Sequence, residues 1–418
     1  MAPYLIVILA ALSMLGAFSI DAYLPALPAI AEQFSATPHA VQLSLTAYVF
    51  AFAVMTLFHG TLSDSLGRRP IILVSLVCYL LATLGVAFSN SLEMLIGLRL
   101  LQGLSAGGGA VVARAIVADL LSGRRAHRAM SAINVVFGLA PAIAPILGGW
   151  LLFAFGWRSI FIAIAVFTVI LLIACFFFLA ESLPPEKRLP FHLRTVLGNY
   201  WTVGSHGYFV LRSASTALAF SGIMIYVSAA PNYVLNILGL TVTDFGWLFL
   251  PLVGGMIIGS FLAGWLSHRM KTPLVISLAF AIMLVSALAN IATSLWLTPH
   301  LPWVVIPLIT YSLGSALGTP AMSMISLEMF PRFRGMAASL QTFAFMMLFT
   351  IISGLIVPHL FDSPVKLAIG NAIGALLSVL CWMAASGCRK PEKISNHRLK
   401  VEPTGARQDP EGNAIDAG

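Results

Sequence analysis

Twelve apolar runs of roughly 20 residues or more recur along this 418-residue chain, and nearly all of its charge lies between them. A run of that length crosses the ~30 Å hydrocarbon layer as an α-helix, because a helix satisfies every backbone donor and acceptor internally where no water is available. A spanning β-barrel would instead show ~10-residue alternating segments, which are absent. Only 9% of the residues are charged and 59% are hydrophobic, against about 25% charged in soluble domains. The expected fold class is therefore an all-α membrane protein.

The runs fall at Tyr4–Ile30, Ala40–Leu62, Pro70–Phe88, Leu92–Leu120, Ala126–Ala154 and Trp157–Leu179, then at Tyr208–Ala230, Thr243–Trp265, Thr272–Trp296, Trp303–Leu327, Gly335–Phe361 and Val365–Ser386. The first run has no basic flank before it and outlasts a signal-peptide core, so it reads as a retained helix. The pattern divides the chain into a six-helix bundle over 1–180, a cytoplasmic linker over 181–207, a second six-helix bundle over 208–387 and a disordered cytoplasmic tail over 388–418. Two echoes suggest duplication: Gly60 and Asp64 before Arg68 against Gly264 and His268 before Arg269, and Asp119 before Arg124 against Glu328 before Arg332.

Alternate loops carry the basic residues, among them Arg68 and Arg69, Arg124, Arg125 and Arg128, Lys187, Arg188 and Arg194, Arg269 and Lys271, while the other set offers only Arg158 and Lys366. Cationic loops resist translocation, which places that set and both termini in the cytoplasm. The net charge of +8 is thus explained by orientation and anionic headgroups rather than by nucleic acid. Trp150, Trp157, Trp296 and Trp303 flank the opposite loops, as an interfacial aromatic belt would. Cys78, Cys175, Cys381 and Cys388 follow no disulfide or zinc spacing and read as small core or lipid-facing residues.

Ionisable groups inside spans are costly and normally face a cavity or a partner. The clearest here are Asp21 in the first span and Arg99 in the fourth. At ~1.5 Å rise per residue, Asp21 lies roughly 25 Å from the inner end of its helix and Arg99 roughly 9 Å below the outer end of its own. Both therefore sit in the outer half, where they can meet across a cavity as a proton-binding carboxylate and a tuning cation, or as a structural pair fixing two helices. Arg114 and Asp119 lie nearer the inner end and read as structural, Arg114 by snorkelling.

Between the second and third spans stands Gly60-Thr61-Leu62-Ser63-Asp64-Ser65-Leu66-Gly67-Arg68-Arg69-Pro70, which resembles the loop motif of the major facilitator superfamily. Arg99, Gln102 and Gly103 resemble that superfamily's second motif. Ala140, Ala144, Pro145, Gly148 and Gly149 are similar to its antiporter motif, with alanines at two expected glycines; Pro141, Pro145, Gly148 and Gly149 are candidate hinge positions. Ser19-Ile20-Asp21-Ala22-Tyr23-Leu24-Pro25, the linker stretch Glu181-Ser182-Leu183-Pro184-Pro185-Glu186, and Ser228-Ala229-Ala230-Pro231 resemble the Bcr/CflA family of bicyclomycin and chloramphenicol efflux proteins.

The resemblance implies the major facilitator fold with 12 transmembrane helices, and a drug:proton antiporter of the bacterial inner membrane. It implies proton coupling at Asp21 and Arg99, and a latch of Gly60, Asp64, Gly67, Arg68, Arg69 and Asp119 that stabilises the outward-open state. The earlier part of the first span offers Ser13 where some relatives carry a second acid. Tyr23, Tyr48, Asn134, Phe137, Phe220 and Tyr226, with Asp21, are expected to line a substrate cavity. Two other readings stay open: a solute:proton uptake symporter, or a non-transporting sensor or scaffold. No phosphate-binding loop, metal spacing or catalytic arrangement is present, so the expectation is a monomeric non-enzyme without cofactor or metal, whose partners are small molecules, protons and lipid.

Overall fold

The computed structural model describes residues 3–188 and 190–387 of the chain. Among these, 11 helices are long and apolar enough to cross a membrane, and 12 if one bent pair counts as a single span. The first six are α1 (Tyr4–Gln33), α2 (Pro38–Leu66), α3 (Arg68–Ala87), α4 (Leu92–Leu120), α5 (Gly123–Phe155) and α6 (Arg158–Phe178). An amphipathic linker helix, Leu193–Gly204, precedes the second set. That set comprises α7 (Gly207–Leu218 and Ser221–Ile237, bent by 42°), α8 (Gly246–Leu266), α9 (Thr272–Trp296), α10 (Val305–Leu327), α11 (Arg334–His359) and α12 (Pro364–Gly387).

Proline and capping residues account for the boundaries. Thr37 Oγ1 accepts from Ala40 N and Ser91 Oγ from Met94 N, capping α2 and α4. In α1 the first helical stretch ends at Asp21. Pro25 then enters a short 3₁₀ turn and Pro28 the next helical stretch, because each proline lacks the N–H that a continuous helix would use. The ends of α7 and α11 unwind similarly into π turns at Tyr233–Ile237 and Ile352–Ile356.

Helix pairing repeats with an offset of six. α2 packs most extensively on α4, α3 on α4 and α6, and α1 on α5; likewise α8 packs on α10 and α9 on α10 and α12, whereas α7 packs more on α12 than on α11. Between the sets, α2 meets α11 and α5 meets α8. Close approach rests on missing side chains: a Cβ on Gly103 would lie 2.2 Å from Tyr48 O of α2, and one on Gly259 in α8 would lie 2.2 Å from Leu313 O of α10.

The aromatic belt departs from expectation at one place. Trp150, Trp296 and Trp303 are exposed, but Trp157 is buried between Phe34 and Phe161 and donates Nε1–H to Gln33 Oε1 at 2.6 Å. Its indole finds an internal acceptor and does not need the headgroup layer. Cys175 is buried, Cys381 half-buried and Cys78 exposed, all three with free thiols. Cys388 and the tail that the sequence reads as disordered lie outside the described residues.

Candidate functional site

The deepest polar feature of the first six helices is built around Arg99, which is fully buried. Its Nη1 donates to Gln102 Oε1 at 2.6 Å and its Nη2 reaches Ser19 O at 3.5 Å. The guanidinium carbon lies 4.2 Å from the centre of the Tyr48 ring, 4.6 Å from that of Tyr23 and 5.9 Å from that of Phe161. The cation is therefore held by aromatic faces and neutral oxygens; among the described residues no carboxylate comes within 4.0 Å of it. A desolvated cation–π contact is worth ~2 kcal/mol, so several rings together retain a charge that the bilayer would otherwise expel. Hydrogen bonds extend the network: Gln102 Nε2 donates to Thr83 Oγ1 at 2.8 Å, Thr83 Oγ1 to Tyr79 O at 2.6 Å, and the hydroxyls of Tyr79 and Ser19 meet.

Asp21 lies two residues beyond Ser19, where the first helical stretch of α1 ends, and it is 6% exposed. The depth estimate holds to the extent that α1 and α4 bring Ser19 onto Arg99. The carboxylate itself makes no salt bridge among the described residues, so the Asp21–Arg99 ion pair drawn from the sequence is absent in this conformation. The break after Asp21 redirects the chain, and the rings of Tyr23 and Tyr48 occupy the faces of Arg99 instead.

A second feature is a cavity of about 490 Å³ between the two sets of helices. The first set contributes Phe52, Thr56, Arg114 and Phe137 to its wall, and the second Met336, Thr342 and Met346. It opens beside Asp64 and Arg68, on the face that carries the arginine-rich loops. On the opposite face the two sets are closed on each other. Gln42 Nε2 of α2 donates to Ser353 Oγ of α11 at 3.0 Å and to Ser228 O of α7 at 3.4 Å.

Of the adjacent glycines of α5, Gly149 belongs to that closed seam and Gly148 to the contact of α5 with α1 inside the first set. A Cβ on Gly148 would stand 2.0 Å from Ala22 O in α1, and one on Gly149 would stand 2.0 Å from Val242 O in the α7–α8 loop. That loop is braced by Thr241, whose N and Oγ1 donate to Asp244 Oδ2 at 2.9 and 2.6 Å. Gly149→Leu is therefore expected to hold the seam apart. Maleimide labelling of a cysteine at position 42, with the native cysteines replaced, should then accelerate about tenfold, since overpacking costs about 1–3 kcal/mol. Unchanged labelling would mean that the seam closes without this contact. Pro141 and Pro145 lie inside α5, whose helix runs unbroken from Gly123 to Phe155.

The residues expected to line a substrate cavity divide. Phe137 lines it. Phe220, at the bend of α7, packs edge-on against Phe345 at 5.4 Å, one residue from the cavity-lining Met346. Asn134 is exposed and outside the cavity wall. Tyr23, Tyr48 and Tyr226 are fully buried and engaged elsewhere: Tyr23 Oη with Ser44 Oγ at 2.7 Å, Tyr48 Oη with Gly16 O at 3.0 Å, and Tyr226 Oη with Asn290 Nδ2 at 2.8 Å. Tyr48 nonetheless stacks on Phe52 at 6.4 Å, which leaves the Arg99 cage one aromatic layer from the cavity. Arg114, expected to snorkel, lines the cavity, as ionisable groups within spans commonly do.

The expected latch residues do come together. Gly67 turns the chain at φ 103°, which favours glycine. Arg68 then pairs through Nη1 with Asp64 at 2.6 Å and through Nε with Asp119 at 3.0 Å. Glu181 accepts from Arg68 N at 2.9 Å and Arg69 N at 3.2 Å, capping α3 from the linker, and Ser182 Oγ donates to Asp119 at 3.0 Å. Arg69 Nη2 donates to Phe176 O at 2.8 Å, while Gly60 lies near Val111 of α4. These pairs are closed while the cavity opens on their own face, so their closure alone does not distinguish one state from the other.

Comparison with known proteins agrees with this architecture. The chain is 31% identical over 290 residues to a bicyclomycin resistance protein homolog of Haemophilus influenzae, covering 69% of this chain and 73% of that one. It is 29% identical over 384 residues to the multidrug resistance protein MdtL of Shewanella sp., covering 91% and 94%. Among solved structures, the D-xylose-proton symporter superposes with a TM-score of 0.72 at 14% identity, covering 90% of this chain and 96% of that one, a likeness of fold alone. The profile of the Major Facilitator Superfamily matches residues 8–354. With helices that pair in two offset sets around a central cavity, and with transporters rather than enzymes as relatives, this chain belongs to the Major Facilitator Superfamily as a multi-pass membrane transporter.

Proposed function

We propose that this transporter exports amphipathic drugs or small metabolites, of phenicol or bicyclomycin type, across the bacterial inner membrane in exchange for protons, with the arginine-rich face and both termini in the cytoplasm. The observation that carries the reading is Asp21, buried at the break of α1 and without a salt-bridge partner among the described residues, two positions beyond Ser19, whose carbonyl the likewise unpaired Arg99 reaches at 3.5 Å. A carboxylate in that position is free to take up a proton, and Arg99 is fixed in place to favour its release. The names of the bicyclomycin- and multidrug-resistance relatives support a drug-like substrate. The glycine pair of α5 supports the outward direction by resemblance to the antiporter motif.

In this scheme the cavity in the present conformation accepts substrate from the cytoplasmic side. Thr56, Phe137 and Met346 offer it apolar contact with sparse hydrogen bonding, as suits a pocket that discriminates by shape. Rocking of the two halves would then separate the Gln42–Ser353 seam and close the cavity beside Asp64. Uptake of a proton at Asp21 accompanies the release of substrate.

Everted membrane vesicles test the direction and the driving force together. With an inside-acid gradient, vesicles containing the protein are expected to accumulate bicyclomycin, chloramphenicol or a dye severalfold above empty-vector vesicles. An uncoupler should abolish the difference. Accumulation in right-side-out vesicles instead would support uptake, and no flux of any compound in a broad panel would support a non-transporting role.

A further inference from the structure

Arg212 is a buried cation that neither the cavity nor the Arg99 network uses. It lies five residues into α7, roughly 8 Å from the start of that helix at 1.5 Å per residue, and it is 6% exposed. Its guanidinium carbon stacks 3.5 Å from the centre of the Trp382 ring in α12 and 4.9 Å from that of Tyr208. Nη2 donates to Ser386 Oγ at 3.2 Å, while Nε and Nη1 have no hydrogen-bond partner among the described residues. Among the described residues no carboxylate lies within 4.0 Å.

A guanidinium removed from water needs an anion or a full set of acceptors. The stacked rings of Trp382 and Tyr208 supply a quadrupole but no acceptor. Ser386 is exposed, so the Nη2–Ser386 edge of this group reaches the surface at the level of the arginine-rich loops. Exposed apolar side chains on the linker helix, Leu193, Leu197 and Trp201, lie at the same end of the bundle, as they would where protein meets headgroups.

We propose that Arg212, Ser386 and Trp382 form a binding site for a phosphate oxyanion, supplied by the headgroup of an anionic phospholipid in the adjacent leaflet. The phosphate accepts from the guanidinium and from the Ser386 hydroxyl, while Trp382 covers the cation from the hydrocarbon side. Such a lipid bridges α7 and α12 at the mouth of the second half, in a place distinct from the substrate cavity.

Purified full-length protein in neutral detergent tests this by native mass spectrometry, counting lipids retained after exposure to phosphatidylglycerol, cardiolipin or phosphatidylcholine. Wild type is expected to retain the anionic lipids in preference to phosphatidylcholine. Arg212→Met, which removes a buried charge at similar length and should fold, is expected to retain them about tenfold less well, the size of a lost charge-assisted contact. Equal retention by wild type and Arg212→Met, or no preference for anionic headgroups, would overturn the site. Thermal unfolding with inorganic phosphate separates the two sources of the anion: protection by free phosphate with none by the lipids overturns the lipid assignment. Should Arg212→Met not fold, Ser386→Ala and Trp382→Phe read the same site; a loss of a few fold or more in each is expected, and wild-type retention by both overturns it.

Discussion

Asp21→Asn is expected to abolish substrate-induced proton release from the purified protein and to lower resistance of expressing cells to the level of cells without it. The substitution keeps shape and hydrogen-bonding capacity but removes the only step that an Asp at this depth adds, which is protonation. Because Asp21 makes no ion pair among the described residues, the amide leaves no stranded partner, and thermal stability should be unchanged or higher. A loss of about tenfold or more in coupled flux with intact folding is the expected signature of a functional ionisable group. Proton release at the wild-type level would remove Asp21 from the coupling mechanism and with it the main support for antiport.

Arg99→Met gives the second large effect, and its interest lies in separating fold from function. The guanidinium is enclosed by Tyr23, Tyr48 and Phe161 and donates to Gln102. A methionine of similar length fills the cage without a buried charge, and replacements of this kind are often neutral or stabilising by ~1–4 kcal/mol. Circular dichroism and detergent melting should therefore show a folded protein. Transport driven by a pH gradient should fall about tenfold or more, because no fixed cation remains to favour release of the proton. Arg99→Lys is expected to fail as well: an ammonium cannot stack flat on two rings while reaching both Gln102 and Ser19. Retained transport in Arg99→Met would assign the cage to structure alone.

What the sequence discloses follows the physics that each feature obeys. The spans are legible because the bilayer sets one length and one polarity for all of them, and α4 matches its expected bounds at both ends. The loop motif is legible because one of its ion pairs, Asp64 with Arg68, joins residues close in sequence; the other, Arg68 with Asp119, joins residues 51 positions apart. Helix rotation is not encoded so locally. Tyr23 and Tyr48 are aromatic residues in apolar helices, and nothing in their neighbours tells whether they face a cavity or, as here, the guanidinium of another helix. The same ignorance hid Gln42 and Ser353, separated by 311 positions in the chain yet hydrogen-bonded across the closed seam. Depth arithmetic put Asp21 and Arg99 in one layer, but the direction of the carboxylate depends on the break that Pro25 and Pro28 impose just beyond it.

The linker has a mechanical role that its hydrogen bonds make visible. Glu181 grips the backbone of Arg68 and Arg69, and Tyr200 Oη donates to Leu57 O of α2 at 2.8 Å. The segment between these two anchors is thus fastened at both ends to the first half. It cannot serve as slack rope between the halves. The linker's far end is held as well, by the second half: Val203 packs with Phe330 and Ala337, and the His206 ring meets that of Phe330 edge-on at 5.3 Å. The linker helix is thus a strut clamped to both halves, and any swing between them must carry it along or break one of its two attachments.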